Sequence, residues 1–374
     1  MLDARVVDDV HLLEGAAARW DELAVRLGRP YCLPAWMLAW WRKVAPEGAR
    51  LRVVVVEDGE TLVGIAPLFV SRGPGGVESY RFLGRETSMG LEPLLDPERA
   101  SEALPVLVGA VAELEPRPLL IAFEGIDVAS AWPERFCAVL PGGAPWTHRD
   151  DQMPAPFVRM DPEGYEAWLG KKSSNFRQQM RRSKRQLEQS GAVFRRSTPA
   201  DAERDLQTFA RLHLDRWRDR GGSVALRAGV VDMLQEVAAT EIVTGRMRIF
   251  NVDLAGETIS TQIFMCAGTE YAYWLGGFDD AHSSQRPGLL AILSGVEDAH
   301  EGGFERVDLG PGDDSYKYRL TDEEEELVWQ TLVSRGDGYL GRRARLAPHL
   351  TRVALRNRLS DEMKLRINKL LRRA

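Results

Sequence analysis

The chain has 374 residues, 44% hydrophobic and 28% charged, with a formal net charge of −6. That length points to more than one domain, and that composition to a globular protein with a sizeable core. The acidic balance argues against a chain that coats nucleic acid over its whole surface, and no run approaches the roughly 18 apolar residues of a membrane-spanning helix.

The opening residues, MLDARVVDDVHLLEG, are acidic where a secretory signal starts basic and turns apolar, so a cytoplasmic location is expected. Cys32, Cys137 and Cys266 are few, far apart and set among apolar neighbours. Buried free thiols are expected from them, with no disulfide framework and no metal site.

Residues 4–9 read as a short strand and 11–27 as a helix, with Leu12, Leu13, Trp20, Leu23 and Leu27 at near-helical spacing. Pro34 opens a second helix, where its missing N–H costs nothing, and Trp36, Trp40 and Trp41 supply its packing face. LRVVVVED and TLVGIAPLFVS are β-branched runs joined by Asp58-Gly59-Glu60, a hairpin signal, and VESYRFLG completes a meander. Residues 98–114 read as a helix, 118–123 as a buried strand and 130–140 as a short helix.

A helix (EGYEAWLG) follows Asp161-Pro162, and a long basic helix runs from about Ser173 to Gln189, closed by Ser190-Gly191. The same order then starts again. Residues 192–197 suit a strand, 200–219 and 229–243 two helices, and RMRIFNVDL with ETISTQIFMCAG a hairpin around Ala255-Gly256. EYAYWLGGF is the third meander strand, 287–301 a helix and 304–309 the return strand. The halves share element order but not residues, which points to tandem copies of one α/β domain. An acidic turn at Glu323–Glu326, a late strand over 326–334 and a basic helical tail over 339–373 complete the chain. The expected division is a first domain at 1–160, a basic linker helix at 161–190, a second domain at 191–335 and a tail at 336–374.

Several short motifs sit at corresponding places in this order. In the second half they are Leu212-His213 with Arg216-Trp217 and Gly221, then Tyr271–Phe278, then Pro287-Gly288-Leu289-Leu290, then Asp308-Leu309-Gly310 followed by Tyr316-Lys317. In the first half they are Ile65-Ala66-Pro67-Leu68 and Phe82-Leu83-Gly84. Together they resemble the GNAT acyltransferase fold. The second half is similar to the acetyltransferases labelled as cellulose-biosynthesis proteins, which are related to Fem-type peptidyltransferases. The resemblance implies two tandem GNAT-like domains, each a mixed, mostly antiparallel sheet flanked by helices. It also implies acyl-CoA or acetyl-CoA as the donor, with no metal. Two departures stand out. The GNAT signature is Gln or Arg, two residues, Gly, one residue, then Gly or Ala, whereas Gln285-Arg286-Pro287-Gly288-Leu289-Leu290 ends in Leu. The first half has only Gly90 within Arg85–Leu95, so that copy is expected to keep the scaffold without the cofactor.

Acyl transfer from a thioester to an amine needs a carrier pocket, a polarised carbonyl, a base for the ammonium and an acid for the leaving thiolate. Gly276-Gly277 would form a bulge that frees a backbone N–H for the carbonyl. The N–H groups of Gly288, Leu289 and Leu290 would hold a pyrophosphate beside Gln285, and Arg286 would pair with phosphate oxygens. The competing reading is a plain strand end, an ordinary Pro-started helix and a solvated arginine. His213 would be the base, against a packing histidine bonded to a backbone carbonyl, with His282 as a second candidate. Tyr316 would protonate the thiolate and Lys317 would bind an acidic acceptor or stabilise negative charge. Against this stands a ring packed under a loop, its lysine reaching water. Asp308 would orient Lys317 or accept the substrate amine, and Glu92 in the first half would face the acceptor.

Lys171, Lys172, Arg177, Arg181, Arg182, Lys184 and Arg185 have no acid between them, which suits a nucleotide-linked acceptor, transfer RNA or cofactor phosphate. A solvated amphipathic helix packed through Phe176, Met180 and Leu187 is the alternative. The tail, with basic residues from Arg342 to Arg373 interleaved with Leu346, Leu350, Val353 and Ile367, suits peripheral contact with an anionic membrane surface or docking on its own domain.

The leading expectation is an acyl-CoA-dependent N-acyltransferase acting on an amino-sugar, lipid or amino-acid-type amine by direct attack in a ternary complex. No cysteine or serine stands in a nucleophile setting such as G-x-S-x-G. The alternatives are a Fem-like aminoacyl-tRNA-dependent transferase, weakened because nothing between 200 and 245 is long enough for a coiled-coil hairpin, and a non-catalytic scaffold binding anionic lipid or phosphate.

Overall fold

A computed structural model of the chain describes residues 2–218 and 222–357. The chain runs β1 (Asp3–Val7), α1 (Val10–Arg26), α2 (Pro34–Lys43), β2 (Arg50–Leu51), β3 (Val53–Asp58), β4 (Thr61–Ala66), β5 (Leu68–Arg72), β6 (Glu78–Phe82), β7 (Leu94–Leu95), α3 (Ala100–Ala112), β8 (Leu120–Asp127), α4 (Trp132–Cys137) and β9 (Trp146–Arg159). It continues through α5 (Tyr165–Gly170), α6 (Ser174–Gln189), β10 (Val193–Arg196), α7 (Ala202–Arg218), α8 (Val230–Glu241), β11 (Met247–Leu254), β12 (Glu257–Ala267), β13 (Glu270–Phe278), α9 (Pro287–Glu301), β14 (Arg306–Asp308), β15 (Glu324–Val333) and α10 (Tyr339–Asn357). These elements fall into two units.

The first unit holds the described residues up to 153, apart from 28–30, together with 326–357. One of its sheets has the order β1-β3-β4-β7, and its other strands follow the order β15-β8-β6-β5-β2. The expected single strand TLVGIAPLFVS is therefore two strands. Pro67 has no N–H to give a ladder, so the chain breaks there: β4 pairs with β3, whereas β5 pairs with β6. Trp20, Trp36, Trp40, Phe69, Phe123 and Phe136 are fully buried and anchor the core. Each contributes at least about 2 kcal/mol of burial.

The described part of the basic tail, α10, docks on this unit. Leu346 and Leu350 pack with Val77, Leu120 and Val333, and the buried Arg342 guanidinium donates to the carbonyls of Ser334 and Gly336. The apolar side expected to meet lipid is thus occupied over 339–350, while 358–373 lie outside the described residues. No helix among the described residues is long and apolar enough to cross a membrane.

The second unit takes in 28–30 and 154–325, with strand order β10-β11-β12-β13-β14-β9. Every pairing is antiparallel except β13 with β14, which are parallel and joined through α9. Helix α6, expected as a linker, is built into this unit. Phe176, Met180 and Leu187 bury themselves in one core with Leu290, Leu293 and Val296 of α9, and the Ser173 hydroxyl caps the helix by accepting the Phe176 N–H at 3.2 Å.

The strand assignments at the ends of the two halves also change. β15, expected to finish the second domain, pairs with β8 of the first unit from Leu327↔Asp127 to Val333↔Leu120. β9 has no counterpart among the expected elements, yet its residues Phe157–Arg159 pair with β14 in the second unit. Its first half is polar and Pro154 and Pro156 interrupt its second, so no period-2 pattern announces it.

Candidate active site

β13 and β14 pair through only three residue pairs, the last being Ala272↔Asp308. Beyond it β13 continues to Phe278 while the chain leaves β14, so the two parallel strands form a fork. The departing loop directs its hydrogen bonds to partners other than β13, although Gly310 still lies beside that strand, where a Cβ would stand 3.7 Å from the Tyr273 carbonyl oxygen. Leu309 and Gly312 give their N–H groups to the carbonyls of Pro156 and Pro154 on β9 at 3.0 and 2.8 Å. Gly310 gives its N–H to the Asp308 carboxylate at 2.8 Å. Gly310 and Gly312 have φ of 76° and 106°, which only glycine adopts without strain.

Asp308 stands at the mouth of this fork. Burial pushes its carboxyl above the usual range, opposed by the Gly310 N–H and by Arg306. Lys317 is 3% exposed, and its ammonium donates to the carbonyls of Gly310, Pro311 and Gly312 at 2.9, 2.7 and 3.3 Å. With its three donors taken, it has none left for an acidic acceptor, one of the two roles expected of it. Tyr316 is half-buried, and its hydroxyl has no hydrogen-bond partner among the described residues. Burial, and after it Tyr273 and Asp314, hold its pKa well above the ordinary value.

Tyr273 is a residue that sequence reasoning missed. Its hydroxyl donates to Gln262 Oε1 at 2.9 Å, and Gln262 Nε2 donates to Ser260 Oγ at 3.1 Å. Gln262 itself is 2% exposed, so this chain fixes the tyrosine hydroxyl from inside the sheet. The signal available in the sequence was a run of polar residues, Ser260-Thr261-Gln262, inside a strand otherwise apolar.

The bulge in β13 also lies elsewhere than expected. Ile263 pairs with Leu275 and Phe264 with Tyr273, so Trp274 is the extra residue, not Gly276 or Gly277. Those glycines answer to packing. A Cβ on Gly276 would stand 1.7 Å from Gln262 Oε1, and one on Gly277 would stand 2.7 Å from the backbone nitrogen of His213. His213 lies on α7, whose Phe209 and Leu212 are buried. It is 3% exposed, with Nδ1 3.0 Å from the Gly276 carbonyl and Nε2 2.8 Å from the Ser223 hydroxyl. Both nitrogens are engaged, which is the packing histidine of the competing reading, and burial lowers its pKa.

At the far end of β13, Pro287 starts α9. The Leu290 N–H already bonds the Arg286 carbonyl at 3.1 Å, so Gly288 and Leu289 are the residues whose N–H groups lack an intrahelical acceptor. The Leu290 side chain is 4% exposed and points into the core, so the departure from the GNAT signature leaves the helix start uncovered. Gly288 is needed because a Cβ there would meet the Phe278 ring at 2.8 Å. Gln285 engages His282 through Oε1 at 3.1 Å.

Arg286 reaches Ser183 of α6 at 3.5 Å, and Arg319, also missed by sequence reasoning, donates to Gln179 of the same helix and lies 4.9 Å over the Phe176 ring. Burial and the positive charge of Arg286 both lower the pKa of Arg319. Among the described residues neither arginine is ion-paired. Arg216 sits 4.1 Å over the Phe278 ring. In the first unit, Glu92 is 7% exposed and accepts a hydrogen bond from Ser130 Oγ at 2.7 Å. Among the described residues no group of three or more His, Cys, Asp or Glu side chains is placed to hold a metal ion.

Residues 174–318 match the family model described as an acetyltransferase (GNAT) domain. The match begins at the first residue of α6 and ends just beyond Lys317, so it takes in the whole fork. It supports a transferase. No curated protein matches the chain. Among solved structures, the C-terminal domain (DUF2156) of a putative lysylphosphatidylglycerol synthetase from Agrobacterium fabrum is similar over 89% of this chain and 96% of its own, with 14% identity and a TM-score of 0.56. FemX is similar over 87% of this chain and 96% of its own, at 13% identity and a TM-score of 0.57. A tandem GNAT protein from the clavulanic acid biosynthesis pathway covers 90% of this chain and 100% of its own length, at 14% identity and a TM-score of 0.50. At these identities the likeness is one of fold. The chain has a tandem GNAT architecture, with mostly antiparallel sheets flanked by helices.

Proposed function

We propose that this chain is an N-acyltransferase that takes an acyl group from acyl-CoA or acetyl-CoA and passes it to an amine by direct attack. The observation that carries this reading is the fork. It leaves β13 unpaired with β14 beyond Ala272, with Asp308 the last paired residue of β14 and Tyr316 following in the loop, within electrostatic reach of Tyr273 on β13. Two arginines without ion pairs, Arg286 and Arg319, stand near the start of α9 and suit the phosphates of the carrier.

In this reading the amine nitrogen attacks the thioester carbonyl, the C–N bond forms and the C–S bond breaks. Asp308, its carboxyl raised by burial, takes the proton from the amine, and Tyr316 gives its proton to the departing sulfur. A backbone N–H of β13 beyond Ala272 polarises the carbonyl. The finer kinship, to acetyltransferases labelled as cellulose-biosynthesis proteins, goes with this reading through the motifs at 271–278, 287–290 and 316–317. So does action on the cytoplasmic side of the envelope.

A second reading is an aminoacyl-tRNA-dependent transferase. It is favoured by α6, where Arg181, Arg182, Lys184 and Arg185 are exposed. Titration calorimetry of the full chain with acetyl-CoA, a long-chain acyl-CoA and transfer RNA separates the two. Binding to a thioester carrier is expected, and binding to transfer RNA alone would replace the first reading with the second.

A further inference from the structure

The Lys317 side chain is buried, and its ammonium is held chiefly by backbone. Three consecutive carbonyls, of Gly310, Pro311 and Gly312, converge on its ammonium within 3.3 Å, and the nearest carboxylate, Asp314, is 3.6 Å away. A buried ammonium is costly unless each N–H is matched, and here each one is. The same loop spends its N–H groups in the other direction, two of them on β9 and that of Gly310 on Asp308. Carbonyls and N–H groups are thus sorted to opposite sides of a four-residue stretch. Pro311 has no N–H to disturb that sorting, and Gly310 and Gly312 supply the positive φ it requires.

We propose that Lys317 is a positioning residue for the acyl-transfer centre: by gathering the three carbonyls it fixes the shape of the loop beside β13 and aims the Gly310 N–H at Asp308. This rests on the acyltransferase reading for its catalytic consequence, although the loop geometry stands without it. Lys317 acts on the reaction through Gly310 and Asp308. Burial and Glu325 raise the pKa of Asp308, while the Gly310 N–H, Arg306 and the positive charge of Lys317 lower it.

The test compares the full-length protein with Lys317→Met, which keeps the length of the stem and removes the donors, by hydrogen–deuterium exchange and by the pH dependence of kcat/KM. Exchange over residues 309–316 is expected to rise at least about tenfold in Lys317→Met, with β11 and β12 unchanged, because the carbonyl gathering is lost. The acid limb of the kcat/KM profile, carried by Asp308, is expected to move up in pH, while the plateau kcat falls less than about tenfold. Unchanged exchange would overturn the proposal. So would a plateau kcat reduced by about a thousandfold or more with the acid limb in place, since that is the signature of an ammonium acting on the substrate directly. If Lys317→Met does not fold, Lys317→Arg carries the same readouts. It keeps the charge, so protection of 309–316 and the acid limb are expected to stay near the parent, and loss of both would overturn the proposal. Failure of the acyltransferase reading shows separately, as a parent protein without activity whose exchange pattern still tests the loop.

Discussion

His213 gives its Nδ1 hydrogen to the Gly276 carbonyl at 3.0 Å, which leaves Nε2 to accept from the Ser223 hydroxyl at 2.8 Å. That hydroxyl already accepts the N–H groups of Ala225 and Leu226, both at 3.1 Å, so the imidazole is held neutral in one tautomer. Replacing it strands the Gly276 carbonyl, and His213→Ala is expected to cost about 1–3 kcal/mol of stability, with any loss of activity following the loss of fold. The sign of the pH effect follows from burial, which lowers the folded pKa below the ordinary 6.5. Between the two values the unfolded chain binds a proton that the folded chain refuses, so stability falls as pH drops below about 6.5 and is unaffected above it. Melting temperatures at about pH 7.5 and pH 5.5 should show that slope in the parent and a smaller one in His213→Ala.

Gly277 lets α7 approach β13 to a distance that no other residue permits. In Gly277→Ala the new methyl would lie 2.7 Å from the His213 nitrogen and 2.9 Å from Leu212 Cβ, and a helix backbone cannot step aside as a flexible side chain does. A destabilisation of about 1–3 kcal/mol is expected, read by urea denaturation with an unchanged slope.

Arg286 and Arg319 repel each other in the folded protein, and an anionic ligand would relieve that repulsion. Arg286→Ala and Arg319→Ala should each weaken carrier binding by about 10- to 100-fold in calorimetry, the effect of losing about 1.5–3 kcal/mol from a charge-assisted hydrogen bond. Neither should lower the melting temperature. A melting loss without an affinity change would mark the pair as structural.

Asp308→Asn and Tyr316→Phe separate the two proton transfers. Each is expected to lower kcat by about 10²- to 10⁴-fold, and Asp308→Asn should also erase the acid limb of the pH–rate profile. Since the Tyr316 hydroxyl has no partner among the described residues, its removal should leave stability within about 0.5 kcal/mol.

Cys266 tests direct attack. It is 3% exposed, its sulfur lies 3.4 Å from the Gly245 carbonyl, and burial pushes its pKa up to about 11. Too little thiolate exists at neutral pH for a covalent acyl intermediate. Cys266→Ala should therefore keep kcat within about twofold, and an inactive but folded variant would require an acyl-enzyme.

What was legible in the sequence was whatever short-range pattern encodes. The β11–β12 hairpin follows from Ala255-Gly256, both with positive φ, the start of α9 from Pro287, and α6 from Ser173 with Phe176, Met180 and Leu187 on one face. Periodicity and turn chemistry are local properties, so a single chain read in order suffices for them. The repeated element order was legible for the same reason.

The tertiary structure decided which strand pairs with which and what each polar side chain touches. β15 reads as a strand in the sequence, yet only pairing assigns it to β8, and β9 carries too little pattern to be seen at all. Lys317 and His213 stand out in the sequence by residue type and by motif position, but three loop carbonyls engage one and Gly276 with Ser223 engages the other. Arg319, Tyr273 and Gln262 enter the site because remote segments meet there. A side chain's chemistry is set by its hydrogen-bond partners and its desolvation, both supplied by residues distant in sequence, and no local pattern records them.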